Sequence, residues 1–213
     1  MSAPRPAAVL FDWDGTLVDS AEASYRCYVR LFDSYGIGFD RARFESTYSP
    51  NWQRTYEAVG LARELWPEAD RRWLEHYDGE RTRLVPGARE ALAQLEAAGV
   101  AQGVVTSGDR SRVSRELVDL EVDAYFKTVV YGGDTPRRKP HPEALLLALA
   151  RMAVTPERAA YVGDSPEDVE MARAAGVRAV GVPGGFPNRE ALAASRPDVL
   201  AKDVTSAIDL LLA

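Results

Sequence analysis

A chain of 213 residues, 46% hydrophobic and 27% charged, has the length for one sizeable core, or for a core carrying a smaller inserted unit, and the composition of a globular protein. The net charge of −6 argues against a nucleic-acid surface, no apolar run approaches the ~20 residues that cross a membrane, and the N-terminus lacks the basic and apolar regions of a signal peptide, so the expected compartment is the cytoplasm. A single cysteine, Cys27, precludes an internal disulfide, and only three of the 26 basic residues are lysines, at 127, 139 and 202.

The first element is the run Ala7-Ala8-Val9-Leu10-Phe11, which reads as a strand buried on both faces and ends in Asp12 and Asp14. Carboxylates two apart on an extended segment start on the same side, and their repulsion calls for a shared cation, for which a hard ion such as Mg2+ prefers oxygen ligands. Gly15 reads as a tight turn with a free N–H, and Thr16 adds a hydroxyl. An ordinary Asp/Gly turn after a strand is the plainer reading of the same residues.

Helical patterns follow. Residues 21–35 space Tyr25, Tyr28, Val29, Leu31 and Phe32 as one face, with Cys27 an ordinary semi-buried member and Gly36 as the stop. Asp40 is expected to cap a helix reaching Tyr48, Pro50 to open another with Trp52, Tyr56 and Val59, and a fourth to run over about 67–81. No strand pattern interrupts residues 18–83, so they read as a helical insertion, and Leu84-Val85-Pro86-Gly87 marks the return. Thereafter helices over 88–98, 110–120, 142–152, 167–175 and 205–212 alternate with strands ending near 106, 131, 162 and 182. That alternation predicts a doubly wound parallel α/β core made of residues 1–17 and 84–213, with ligands outside the carboxyl ends of the strands. The segment 183–187 reads as a flexible loop with no role assigned.

Three further clusters sit just after predicted strands. Thr106-Ser107-Gly108 offers a hydroxyl and helix N-terminal amides to a phosphate, although Ser107 alone is better read as an N-cap. Lys139 lies in Arg137-Arg138-Lys139-Pro140-His141-Pro142, where a solvated basic loop would more readily hold a third arginine; a compact ammonium suits a crowded carboxylate and phosphate site. His141 reads as a helix-start residue. Gly163-Asp164-Ser165-Pro166-Glu167-Asp168 supplies a second acidic group, part of which an acidic helix N-terminus already explains.

The run Asp12-Trp13-Asp14-Gly15-Thr16-Leu17-Val18-Asp19-Ser20 resembles the first motif of the haloacid dehalogenase superfamily, in particular its phosphatase branch, with Trp13 where a smaller apolar residue is usual. Thr106 matches the second motif, Lys139 the third, and Asp164 with Asp168 the fourth. The resemblance extends over nearly the whole chain, and the insertion is matched in kind by the helical C1-type cap of phosphoglycolate phosphatase and β-phosphoglucomutase-like members. It implies a Mg2+-dependent phosphatase acting on a small phosphorylated metabolite, phosphoglycolate-like or a sugar phosphate, through an aspartyl-phosphate intermediate. Asp12 would be the nucleophile and Asp14 the general acid and base, assisted by Lys139 and Thr106. Gly15, Thr16, Ser107 and Gly108 would join Thr106 and Lys139 around the phosphate. Asp12, the backbone carbonyl of Asp14 and Asp164 would hold Mg2+, with Asp168 behind them acting through a water or Lys139. Residues 18–83 would close over the site on hinges near Leu17 and Leu84.

The main alternative is a phosphomutase of the β-phosphoglucomutase type using the same aspartate. A dehalogenase ranks lower because it needs neither metal nor second acid, and a signalling receiver module lacks such an insertion. Arg26, Arg30, Arg54 and Arg81 are candidates for a second anionic group of the substrate. No nucleic-acid or membrane partner is expected, and the chain is expected to be a monomer or weak homodimer.

Overall fold

The structure, a computed structural model, describes residues 4–213. Six strands, β1 (Ala8–Phe11), β2 (Ala101–Val105), β3 (Thr128–Val130), β4 (Ala159–Gly163), β5 (Arg178–Gly181) and β6 (Val199–Leu200), pair in parallel in the order β3-β2-β1-β4-β5-β6. The helices are α1 (Ala21–Asp33), α2 (Arg41–Thr47), α3 (Trp52–Ala58), α4 (Trp66–Tyr77), α5 (Ala88–Ala97), α6 (Arg110–Asp119), α7 (Glu143–Met152), α8 (Pro166–Ala174), α9 (Arg189–Ala194) and α10 (Val204–Leu212).

The four residues of β1 are all buried, and their alternation builds the two faces of the sheet. Val9 and Phe11 join a core with Leu92 and Leu95 of α5 and Ile208 and Leu211 of α10. Ala8 and Leu10 join the opposite core with Leu145 and Leu149 of α7 and Val169 of α8. A sheet covered on both faces explains why its central strands carry unbroken apolar runs. Among the described residues no helix is long and apolar enough to cross a membrane.

Helices α1–α4 lie between β1 and β2 and share their own aromatic core, in which Phe32 and Phe39 approach to 4.7 Å between ring centroids. The Asp40 side chain accepts from Arg43 N–H and starts α2, as its position suggests. Helix α3 begins at Trp52 with Asn51 as its cap, two residues beyond the expected Pro50 start, because the Asn51 side chain accepts from Gln53 N–H. The last helix of the group stops at Tyr77, short of the expected 81. Both connections to the sheet run side by side: Val85 N–H donates to the Leu17 carbonyl and Asp19 N–H to the Arg83 carbonyl, each at 2.9 Å.

Two elements lie outside the expected set. Helix α9 and the two-residue β6 are too short to show a period, and burial of Leu192 and pairing of Val199 with Val180 hold them in place. The segment 183–187, expected to be a flexible loop, is anchored at one residue. Phe186 is buried and stacks on Tyr48, with centroids 4.5 Å apart and planes 10° from parallel.

Candidate active site

The sheet register carries the acidic residues to one edge. Phe11 pairs with Val104 and Val162, and the backbone continues in register past the strand, Asp12 N–H donating to the Val162 carbonyl at 2.9 Å. Asp12, Thr106 and Asp164 therefore follow β1, β2 and β4 at the carboxyl edge of the sheet. Asp12 and Asp164 flank the gap between β1 and β4, where the strand order reverses and ligands of such sheets bind.

Lys139, between β3 and α7, reaches the same spot. Its ammonium donates to Asp12 Oδ1 at 2.7 Å, to Asp168 Oδ1 at 2.8 Å and to the Tyr161 hydroxyl at 2.7 Å, so all three donors are occupied. The Tyr161 hydroxyl in turn donates to the Val105 carbonyl at 2.7 Å, which fixes the lysine from below. The other oxygen of Asp168 accepts from Ser165 N–H and hydroxyl, while Asp168 N–H returns to Ser165 Oγ. Asp168 thus caps α8 and orients Lys139 at once. Gly163 is required for this, because a Cβ there would occupy the space of the Asp168 carboxyl group.

One ammonium faces three buried carboxylates. An oxygen from each of Asp12, Asp164 and Asp168 lies within 4.8 Å of the others. Burial pushes the Asp12 carboxyl up to about 7, against the pull of Lys139 and with added repulsion from Asp168. Burial, then Asp12, likewise holds Asp164 well above the usual carboxylate range. Burial works against charge on Lys139 as well, but Asp12 and Asp168 outweigh it and keep the ammonium charged. Asp164 Oδ2 is buried with no hydrogen-bond partner, and its Oδ1 meets only the Thr16 hydroxyl, at 3.4 Å. An orphaned carboxylate oxygen among like charges fits a divalent cation, and the all-oxygen donor set fits Mg2+. Asp168, with both oxygens engaged by Lys139 and Ser165, stands behind that position, whereas Asp12 and Asp164 are free to face it.

Asp14 is held differently from its neighbour. Arg112 of α6 grips both of its oxygens, at 3.0 and 2.5 Å, and donates to Glu116 at 2.9 Å. Trp13 explains its size here: the ring is fully buried and its Nε1–H donates to Glu116 at 2.8 Å, so it points into the core and not into the space beside Asp12. The Arg112 guanidinium also sits 4.8 Å from the Tyr77 ring of α4. Burial opposes the Arg112 charge, but Asp14 and Glu116 more than restore it.

A cavity of about 300 Å3 opens at this edge. Asp12, Asp14, Thr106, Lys139 and Asp164 all line it, as do Ser107, Gly108 and Asp168. Gly15 and Thr16 are not among its lining residues. The Gly15 N–H, expected to be free, donates to the Val18 carbonyl at 2.8 Å, and Thr16 is fully buried against Asp164. Gly15 instead serves sterically: at φ +81° it leaves room that a Cβ would take from the Asp164 carboxylate and the Phe186 ring. The second and third amides of α6 are likewise engaged, because Asp109, not Ser107, caps the helix and accepts from Ser111 and Arg112 N–H. Thr106 Oγ1 accepts from Gly108 N–H at 2.9 Å.

The four candidate arginines for a substrate anion, each more readily read as part of a solvated face, lie elsewhere. Arg26 and Arg30 both pair with Glu80 at 2.6 Å, Arg54 faces Glu167 at 3.8 Å, and Arg81 donates to carbonyls of its own turn. None lines the cavity. Residues not singled out from the sequence include Arg112, Glu116, Tyr161 and Asp70; the one available signal was the Arg112/Glu116 pair, four apart on the face of α6 that buries Val113 and Leu117.

The chain matches the family model described as haloacid dehalogenase-like hydrolase over residues 9–182. It is 34% identical over 222 residues to the phosphoglycolate phosphatase of Salmonella paratyphi A, covering 90% of this chain and 87% of that one. Among solved structures it is similar to CbbY from Rhodobacter sphaeroides, determined in complex with phosphate, with a TM-score of 0.80, 25% identity and coverage of 96% of this chain and 99% of that one. It is also similar to a Thermotoga maritima protein assigned as a β-phosphoglucomutase, with a TM-score of 0.75, 27% identity and coverage of 96% and 97%.

Proposed function

The chain belongs to the haloacid dehalogenase-like hydrolase family and is a phosphatase, and from that premise we propose that it cleaves a small phosphate monoester through Asp12. A phosphoglycolate-like ester or a sugar phosphate is the substrate class suggested by the relatives. The observation that carries the reading is the cluster of Asp12, Lys139 and Asp164 at the reversal of strand order, with Lys139 on Asp12 at 2.7 Å and Asp164 Oδ2 buried and unpaired.

In the first step an Asp12 carboxylate oxygen forms a bond to phosphorus while the bond to the leaving oxygen breaks, and Asp14 delivers a proton to that oxygen. In the second, water attacks the phosphorus of the aspartyl phosphate, Asp14 takes its proton, and Asp12 is released with inorganic phosphate. Lys139 orients Asp12 and pulls its carboxyl toward the ionised form, and with Thr106 it offsets charge on the phosphoryl oxygens. Bound by Asp12, Asp164 and the Asp14 carbonyl, Mg2+ would polarise a phosphoryl oxygen and offset the charge of the carboxylates.

Helices α1–α4 are proposed as the cap, 18–83, over a core of 1–17 and 84–213, hinged where 17–19 and 83–85 run together. The Tyr48–Phe186 stack joins the two sides and supports a closed arrangement. Asp12→Asn is the direct test. The variant should release no phosphate from p-nitrophenyl phosphate, and the wild type, acid-quenched during turnover, should carry one phosphoryl group on Asp12 by mass spectrometry; retained activity in the variant would overturn the assignment. Isomer formation from a hexose 1-phosphate in place of phosphate release would favour a mutase, the activity assigned to the Thermotoga neighbour.

A further inference from the structure

Three cations line the cavity, Arg112, Arg138 and Lys139, and two of them are already paired. Lys139 is held by Asp12 and Asp168, and Arg112 by Asp14 and Glu116. Arg138 stands apart. It is exposed, and among the described residues its guanidinium makes neither an ion pair nor a hydrogen bond. Its neighbour Arg137 does not line the cavity and pairs with Glu143 at 3.3 Å.

What Arg138 has instead is a platform. Its guanidinium lies 4.1 Å from the centroid of the Trp52 ring in α3, and the indole is itself fixed, because its Nε1–H donates to Asp70 at 2.7 Å. Stacking occupies the face of a guanidinium and leaves the N–H groups along its edge free to donate. Asp70 is the carboxylate that could claim them, but its Oδ1 is taken by Trp52 and it forms no ion pair with Arg138. Burial raises the Asp70 carboxyl, and hydrogen bonds from Trp52 and Tyr56 and then the charge of Arg138 act in the other direction.

From this unspent fork, one residue before the lysine that holds Asp12, we infer that Arg138 receives a carboxylate on the alcohol part of the substrate and so selects phosphate esters of small hydroxy acids. The inference rests on the phosphatase reading and narrows it. With the phosphoryl group at Asp12 and Lys139, the rest of the ester occupies a cavity of about 300 Å3 in which Arg138 is the cation left to meet it. A carboxylate matches a guanidinium in charge and in two-point geometry. A second phosphoryl group fits less well, because it carries more negative charge than one guanidinium offsets, and the cap residues of the wall add Asp70 and no further cation.

The test gives the whole enzyme, with Mg2+, three esters of one two-carbon skeleton. These are phosphoglycolate, 2-hydroxyethyl phosphate, in which a neutral hydroxymethyl group replaces the carboxylate, and ethylene glycol bisphosphate, which carries a second phosphoryl group. Wild-type kcat/KM for phosphoglycolate should exceed that for 2-hydroxyethyl phosphate by about tenfold or more, as one charge-assisted pair would give, and Arg138→Gln should narrow that ratio by about tenfold. Equal turnover of these two esters by the wild type overturns the inference, and so does a ratio that Arg138→Gln leaves unmoved. A higher kcat/KM for the bisphosphate than for phosphoglycolate overturns the assignment of a carboxylate. Turnover of p-nitrophenyl phosphate with none of the three overturns the inference and leaves the phosphatase reading standing, whereas no turnover of any ester overturns the phosphatase reading itself.

Discussion

Both oxygens of Asp14 are engaged by Arg112, which orients the carboxylate toward the cavity and leaves each oxygen a further lone pair for a proton. The proton-transfer role proposed for Asp14 therefore makes a prediction that depends on the leaving group. Asp14→Asn should reduce kcat on an alkyl phosphate by about 10²–10⁴. It should cost clearly less on p-nitrophenyl phosphate, whose phenolate departs without a proton, and steady-state rates on the two esters give the comparison. Equal losses would mean that Asp14 does not protonate the leaving group. Arg112 itself is predicted to matter first for stability. It is the buried countercharge of both Asp14 and Glu116, and removing one partner of such a set leaves the others uncompensated. Arg112→Ala should lower the unfolding free energy by about 3–5 kcal/mol in urea titration. Arg112→Lys should restore only part of that, since an ammonium cannot match the two-point grip.

Helices α1 and α4 meet through Cys27, Tyr77 and Trp73, and the thiol of Cys27 is fully buried in that contact. Burial raises it from 9.0 to about 11, with Arg30 pulling weakly the other way. The unfolded chain thus loses this proton before the folded one, so the contribution to stability is complete below pH 9 and falls as pH rises toward 11. A thiol reagent at pH 8 should accordingly leave the native protein unmodified for hours and label it promptly in denaturant. Fast native labelling would show that α1 and α4 separate readily. The same elements show what was legible in the chain beforehand. Strand β1, the helix cap at Asp40 and the acids after β1 and β4 are local patterns, read from neighbours in sequence. Arg112 escaped notice because its partner Asp14 lies 98 residues away, and Tyr161 because its hydroxyl serves Lys139 and Val105, which belong to other segments. Asp109 outcompeted Ser107 as the cap of α6 because its carboxylate can serve two N–H groups, and the stacking of Phe186 on Tyr48 joins segments that no periodicity relates.

At the scale of the whole molecule, the cluster at the sheet edge sets function against stability. Three buried carboxylates cluster where one ammonium pairs with only two of them, an arrangement that weakens the metal-free chain because the repulsion exists only once the chain has folded. Asp164 is the member with an unpaired buried oxygen, so neutralising it removes repulsion without breaking an ion pair. In EDTA, Asp164→Asn should therefore melt higher than the wild type, a gain of 1 kcal/mol corresponding to roughly 2–4 °C for a chain of this size. Adding Mg2+ should reverse the order. A cation that binds only the folded wild type at one hundred times its dissociation constant stabilises it by about 2.7 kcal/mol, and a variant lacking one of the ligands should respond weakly or not at all. Thermal melts of both proteins with EDTA and across a Mg2+ titration decide the matter without an activity assay. If Asp164→Asn melts below the wild type in EDTA, the cluster is not a source of strain in the free chain. Equal stabilisation of the two proteins by Mg2+ would put the cation somewhere other than beside Asp164, because binding energy that survives the loss of a ligand was never drawn from it.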